Sequence, residues 1–115
     1  MIISDKHGKV ILVDDDPINN LVTKRLLQKI NPSIEIVDFT SAIDALEHLK
    51  SSRIDLILLD INMPGMNGWE FLNELENTGN KTPVIMLSSS IDPHDHCKSI
   101  NYKSVRGFLR KPLLN

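Results

Sequence analysis

The sequence predicts an α/β domain built on a parallel sheet, and three observations predict it. Short β-branched or apolar runs alternate along the chain with helix-like segments. The run Ile54-Asp55-Leu56-Ile57-Leu58-Leu59 is almost wholly apolar, the pattern of a strand buried on both faces. Asp16-Pro17 and Asp92-Pro93 each place a capping carboxylate before a proline, the way a helix starts after a strand. Parallel strands joined through helices imply right-handed crossovers.

Lys9-Val10-Ile11-Leu12-Val13 is the first strand. A helix follows from Pro17 to about Ile30, with Ile18, Val22 and Leu26 expected on its buried stripe. Asn31-Pro32 stops it. Ile34 to Phe39 alternates in part, which places this second strand near an edge. Ser41 caps a second helix in which Ala42, Ala45, Leu46 and Leu49 fit the helical template. Ile54 to Asp60 is the third strand, and Asn67-Gly68-Trp69 opens a third helix lasting to about Glu76. Pro83 to Leu87 is the fourth strand, Asp92-Pro93 starts a helix ending near Ile100, and Val105 to Leu109 is the fifth strand.

With 115 residues the chain is read as one domain, able to bury roughly two-thirds of its unfolded surface. The net charge of −2 makes no general case for nucleic acid or an anionic membrane as partner. No apolar stretch approaches the ~20 residues that span a bilayer. The single cysteine, Cys97, precludes an internal disulfide and suits a reducing cytoplasm.

The polar residues sit where such a fold does chemistry, at the carboxyl ends of the strands. The first strand delivers Asp14 and Asp15, the third Asp60, the fourth Ser88 and the fifth Lys111. Singly, each has an ordinary reading: a helix cap, a turn residue, a loop. Together, at one rim, three carboxylates call for a hard divalent cation with oxygen ligands, Mg²⁺ or Mn²⁺. The lysine can pair with an oxyanion and the serine hydroxyl can donate to it. That set describes phosphoryl transfer with an aspartate as nucleophile.

The segments Ile11-Leu12-Val13-Asp14-Asp15-Asp16-Pro17, Leu58-Leu59-Asp60-Ile61-Asn62-Met63-Pro64-Gly65-Met66-Asn67-Gly68 and Phe108-Leu109-Arg110-Lys111-Pro112 resemble the receiver domain of two-component response regulators, the CheY-like family, over nearly the whole chain. The resemblance implies a flavodoxin-like, doubly wound five-stranded sheet in the order 2-1-3-4-5. It implies that Asp60 accepts a phosphoryl group from a sensor histidine kinase or a histidine phosphotransfer protein. Asp14 and Asp15 would hold Mg²⁺ with Asp60 and the backbone carbonyl of Asn62, and Lys111 would contact the phosphoryl group. Ser88 and Phe108 would be the switch pair, and Asn62 and Ser90 would set how fast water removes the phosphoryl group. The Lys111–Pro112 bond is a candidate cis peptide. The implied protein is a switch rather than a turnover enzyme, and a homodimer or an output partner would read it.

Only three residues follow Pro112, so the fifth helix that completes the alternation is missing or truncated. If the chain is cut before that helix and an output domain, apolar sheet surface beside strands one and five is expected to be exposed. The basic run Lys98, Lys103, Arg106, Arg110 and Lys111 is read, Lys111 apart, as a solvated face. His94-Asp95-His96-Cys97 is not read as a metal cluster, because helical residues two apart do not share a face. His48 is read as a surface residue. Two other functions fit parts of the pattern. One is a small Mg²⁺-dependent phosphatase of the haloacid dehalogenase type, whose first strand normally ends Asp-x-Asp-x-Thr/Val. The other is a receiver-like binding module that is never phosphorylated.

Overall fold

The computed structural model describes residues 8–89 and 92–111. Five parallel strands, β1 (Lys9–Val13), β2 (Glu35–Phe39), β3 (Leu56–Asp60), β4 (Val84–Ser88) and β5 (Val105–Arg110), form one sheet in the order β2-β1-β3-β4-β5. The intervening helices are α1 (Pro17–Ile30), α2 (Ala42–Ser51), α3 (Gly68–Asn77) and α4 (Pro93–Ser99). This is the doubly wound, flavodoxin-like order, with β2 at an edge as its alternation predicts. No helix follows β5 among the described residues.

The period-two pleat sorts the strand residues into two cores. Ile11, Val13, Ile57, Leu59, Val84 and Met86 face α2 and α3, where they meet Ala45, Leu49, Phe71, Leu72 and Leu75. Val10, Leu12, Leu56, Leu58 and Leu87 share the other core with Leu27 of α1. Every residue of β3 is buried, as its apolar run predicts. The strand starts two residues later than expected, because Asp55 is diverted: its carboxylate accepts the Lys9 N–H at 2.9 Å at the sheet's lower rim.

The helix starts follow the sequence. Asp16, Ser41 and Asp92 accept backbone N–H groups in the first turns of α1, α2 and α4. At α3 the Asn67 carboxamide accepts from the Glu70 N–H at 2.9 Å, while the Glu70 carboxylate accepts from the Asn67 N–H at 3.0 Å.

The buried stripe of α1 differs from the expected one. Ile18 and Val22 are 69% and 46% exposed, Leu26 is half-buried, and the inward residues are Asn20, Thr23 and Leu27. The reason is a pair of backbone carbonyls at the top of the sheet. The Asn20 carboxamide donates to the carbonyls of Asp14 at 3.0 Å and Phe39 at 3.2 Å. Satisfying buried carbonyls outranks burying one more aliphatic side chain, and fixing Asn20 inward fixes the rest of the stripe. Asn20→Leu is therefore expected to lose roughly 1–3 kcal/mol of stability in urea titration, although it adds apolar volume to a buried position.

His48 also departs from its surface reading. It is half-buried, its ring centroid lies 5.3 Å from that of Phe39, and its Nε2 has no hydrogen-bond partner among the described residues. The sheet face beside β1 is closed, since α1 covers Val10 and Leu12, whereas Ile85 and Leu109 on β4 and β5 are half-exposed.

Candidate metal centre at the strand ends

The ends of β1, β3 and β5 lie on one rim because the strands are parallel: β1 and β3 are neighbours, and Lys111 reaches across β4 from the end of β5. Asp14 and Asp60 are 2% and 3% exposed, whereas Asp15 faces solvent. One carboxylate oxygen from each of the three lies within 4.8 Å of the other two. The Lys111 ammonium is 3.0 Å from Asp14 Oδ2 and 3.3 Å from Asp60 Oδ1. The Lys111 backbone N–H donates to the Ser88 carbonyl at 2.8 Å, so β4 holds the lysine at the rim.

The electrostatics follow from packing two negative charges with one positive. Burial, and then the Asp14 charge, push the Asp60 carboxyl from 3.8 up to about 6 against the pull of Lys111. Burial acts to lower the Lys111 pKa, but its hydrogen bond to Asp14 and the two carboxylate charges outweigh that and raise it. A cluster of three carboxylates and one ammonium carries excess negative charge. The all-oxygen donor set fits a hard divalent cation such as Mg²⁺.

The backbone around Asp60 is as constrained as its side chain. The Asn62 N–H donates to Asp60 Oδ1 at 3.3 Å, while the Asn62 side chain faces solvent. Gly68 donates its N–H to the Ile61 carbonyl at 2.8 Å and packs tightly on the chain below. A Cβ there would lie 2.7 Å from the Asp60 carbonyl oxygen and 2.9 Å from Ile61 Cα. Asp14 is similarly fixed: its carboxylate accepts the Asp16 N–H at 3.0 Å, and its own N–H donates to the Phe39 carbonyl at 3.1 Å.

The remaining expected site residues fall nearby. Ser88 is 1% exposed at the end of β4, in register with Arg110. Phe108 lies beside Met86, half-buried against the α2–α3 core, and its ring stacks on His96 of α4 at 4.7 Å. Ser90 and Pro112, and with Pro112 the expected cis bond, lie outside the described residues.

A family model for the response regulator receiver domain matches residues 10–115. The chain belongs to that family. Among curated relatives, the cyclic di-GMP phosphodiesterase response regulator RpfG of Xanthomonas campestris pv. campestris is 32% identical over 87 residues, 74% of this chain and 23% of that protein. Among solved structures, a two-component response regulator from Cytophaga hutchinsonii has a TM-score of 0.83 at 33% identity, with 93% of this chain and 87% of that one covered. Chemotaxis protein CheY4 of Vibrio cholerae has a TM-score of 0.80 at 28% identity, covering 95% and 90%. The receiver thus spans less than a quarter of RpfG's length.

Two residues of this receiver's site were not legible as such in the sequence. Asn20 carries no sequence reading of its own, and Gly68 reads as a turn residue that opens a helix. For the first, the available signal was an asparagine early in the helix that follows Asp14-Asp15. For the second there was none, because the close approach exists only between segments already packed.

Proposed function

We propose that this receiver is a phosphoryl-accepting switch in a two-component phosphorelay, with Asp60 as the acceptor. The observation that carries the reading is the burial of Asp60 between a second carboxylate, Asp14, and the Lys111 ammonium. The donor is a phosphohistidine of a sensor histidine kinase or a histidine phosphotransfer protein. An Asp60 carboxylate oxygen attacks phosphorus, a P–O bond forms, and the P–N bond breaks to leave imidazole on the donor.

Asp14, Asp15, Asp60 and the Asn62 carbonyl would hold Mg²⁺ or Mn²⁺, which supplies charge neutralisation for the phosphoryl oxygens. Lys111 moves from its carboxylate partners to the new phosphoryl oxygens, a charge-assisted pairing. The Ser88 hydroxyl turns toward the same oxygens, and Phe108 follows into the vacated space. Phe108 carries no ring hydroxyl. Its ring instead stacks on His96 at 4.7 Å. The apolar residues that α1 leaves exposed, Ile18, Leu21 and Val22, flank the exposed Asp15 and give a donor protein a surface to bind.

Two observations weigh against the other readings. In a phosphatase of Asp-x-Asp type, Asp16 would be the second catalytic carboxylate, but here its Oδ1 accepts the Ile18 N–H at 2.9 Å as a helix cap. A module that only binds partners has no use for a buried aspartate raised to about 6. The receiver acts in the cytoplasm, without contacting nucleic acid or membrane, and passes its state to an output partner or a second copy of itself. No helix among the described residues is long and apolar enough to cross a membrane.

The test is incubation with acetyl phosphate and Mg²⁺. Wild type is expected to gain one phosphoryl mass and to change fluorescence at Trp69, which is 7% exposed and stacked on Tyr102 at 5.7 Å. Asp60→Asn is expected to gain none. An equal gain in the mutant would overturn the assignment, and turnover of generic phosphate esters would favour the phosphatase. The phosphoryl lifetime is expected to be intermediate, because Asn62 and Ser90 neither block water strongly nor act as strong bases. Asn62→Met and Ser90→Glu are expected to shift the hydrolysis rate severalfold. If both leave it unchanged, these positions do not gate water.

A further inference from the structure

The basic residues near the carboxyl end are exposed, Lys111 apart, as expected, but they point to different surroundings. Lys98 lies over the Trp69 ring, 5.1 Å from its centroid, and Lys111 enters the acidic cluster. Lys103 and Arg106 turn elsewhere. With Lys81 they line a cavity of about 400 Å³ at the end of the sheet opposite Asp60. None of the three has an ion-pair partner among the described residues. Glu76, the one acid in the lining, accepts the Ser104 N–H at 3.1 Å.

Gly79 and Asn80 are shared between this cavity and a larger groove of about 630 Å³ between α2 and α3. Leu46, Leu49, Met66 and Leu75 line that groove, and Ile43 on its wall is 63% exposed. Its acids are Glu47, paired with Lys50 at 3.2 Å, and Glu74. The combined surface is an apolar trough bounded by two helices that opens at one end onto three cations, Lys81, Lys103 and Arg106, and one acid, Glu76.

We propose that this surface docks a segment of a partner polypeptide: an amphipathic helix whose apolar face fills the trough and whose acidic end meets Lys81, Lys103 and Arg106. A helix is the occupant that presents apolar anchors at i, i+3, i+4 and i+7 to a groove between helices. Carboxylates suit the cationic end better than phosphate does. Phosphate sites draw on backbone N–H groups at helix N-termini, whereas α3 turns its carboxyl end here. The Thr78 N–H already donates to Glu74 and Glu76 carbonyls, and the Gly79 N–H to the Glu76 carbonyl. Gly68, against Asp60, is at the other end of this ten-residue helix, about 15 Å away. The docked partner therefore leaves the acidic cluster accessible to a phosphodonor.

The probe is a helical peptide of about 15 residues with leucines at i, i+3, i+4 and i+7 and a terminal Asp-Glu-Asp, compared with the same peptide ending Lys-Lys-Lys. Amide NMR titration is expected to show the acidic peptide shifting Ile43, Leu46, Met66, Lys103 and Arg106, with the lysine peptide at least tenfold weaker. The double substitution Lys103→Glu, Arg106→Glu and the single Ile43→Asp are each expected to weaken binding tenfold or more. All three positions are exposed, and an unchanged thermal midpoint checks the fold. Four results each overturn the proposal. They are no binding, equal binding of both peptides, shifts confined to α1, or a self-association that Ile43→Asp abolishes and that assigns the groove to a second copy.

Discussion

Asp60→Asn is expected to raise the stability of the cation-free protein at neutral pH by up to about 3 kcal/mol, and its thermal midpoint by several degrees, while abolishing phosphoryl gain. The Asp60 carboxyl sits at 3.8 ordinarily and at about 6 in the fold, chiefly through burial and then through the Asp14 charge. The folded state thus binds a proton more readily than the unfolded chain between about pH 4 and pH 6. Stability falls as pH rises through that window and stays lower above it. Removing the charge while keeping the shape removes the penalty and flattens the wild-type slope. Lys111 keeps its 3.0 Å pairing with Asp14, so the substitution does not strand the ammonium. Added Mg²⁺ is expected to stabilise wild type more than the mutant, by mass action on the folded state. The measurement is thermal unfolding from pH 4 to 8, with and without Mg²⁺. A mutant less stable than wild type at pH 7 would show that the buried charge is already compensated.

Gly68→Val is expected to be the most damaging single change outside the carboxylates, costing about 3 kcal/mol or more by urea unfolding. Any Cβ at this position meets backbone, not a side chain that can swing away: the Asp60 carbonyl oxygen at 2.7 Å and Ile61 Cα at 2.9 Å. Relief requires α3 to move off β3, which breaks the 2.8 Å bond from the Gly68 N–H to the Ile61 carbonyl and shifts Asp60 itself. Gly68→Ala separates the two effects, since a single methyl meets the same atoms with less volume. It is expected to retain the fold and to lose phosphoryl gain at least tenfold. Normal phosphorylation in Gly68→Ala would show that the close approach does not position Asp60.

Much of this arrangement is legible in the sequence. The doubly buried run ending in Asp60, the two Asp-Pro helix starts and the four polar strand ends were all readable. Their common mechanism is local: backbone pleat, capping and the missing proline N–H act within a few residues. The α1 stripe was not readable, because Ile18, Val22 and Leu26 satisfy helical periodicity as well as Asn20, Thr23 and Leu27 do. The choice between them rests on the Asp14 and Phe39 carbonyls, which come from two other strands. The basic run divided for the same kind of reason. Lys98, Lys103 and Lys111 are close in sequence, but the α4–β5 turn sends them to an aromatic ring, an open cavity and a buried acid pair.

By itself the sequence determined the order of elements, the parallel sheet and the residues delivered to its carboxyl rim, because period, caps and turn chemistry are short-range. Tertiary structure alone decided what those residues experience. It set how deeply Asp60 is desolvated, which carboxylates Lys111 pairs with, where glycine is obligatory and which cations gather at the far end of the sheet. These depend on distances between segments far apart in the chain, and electrostatic and steric energies change steeply over the last few ångströms that only packing sets.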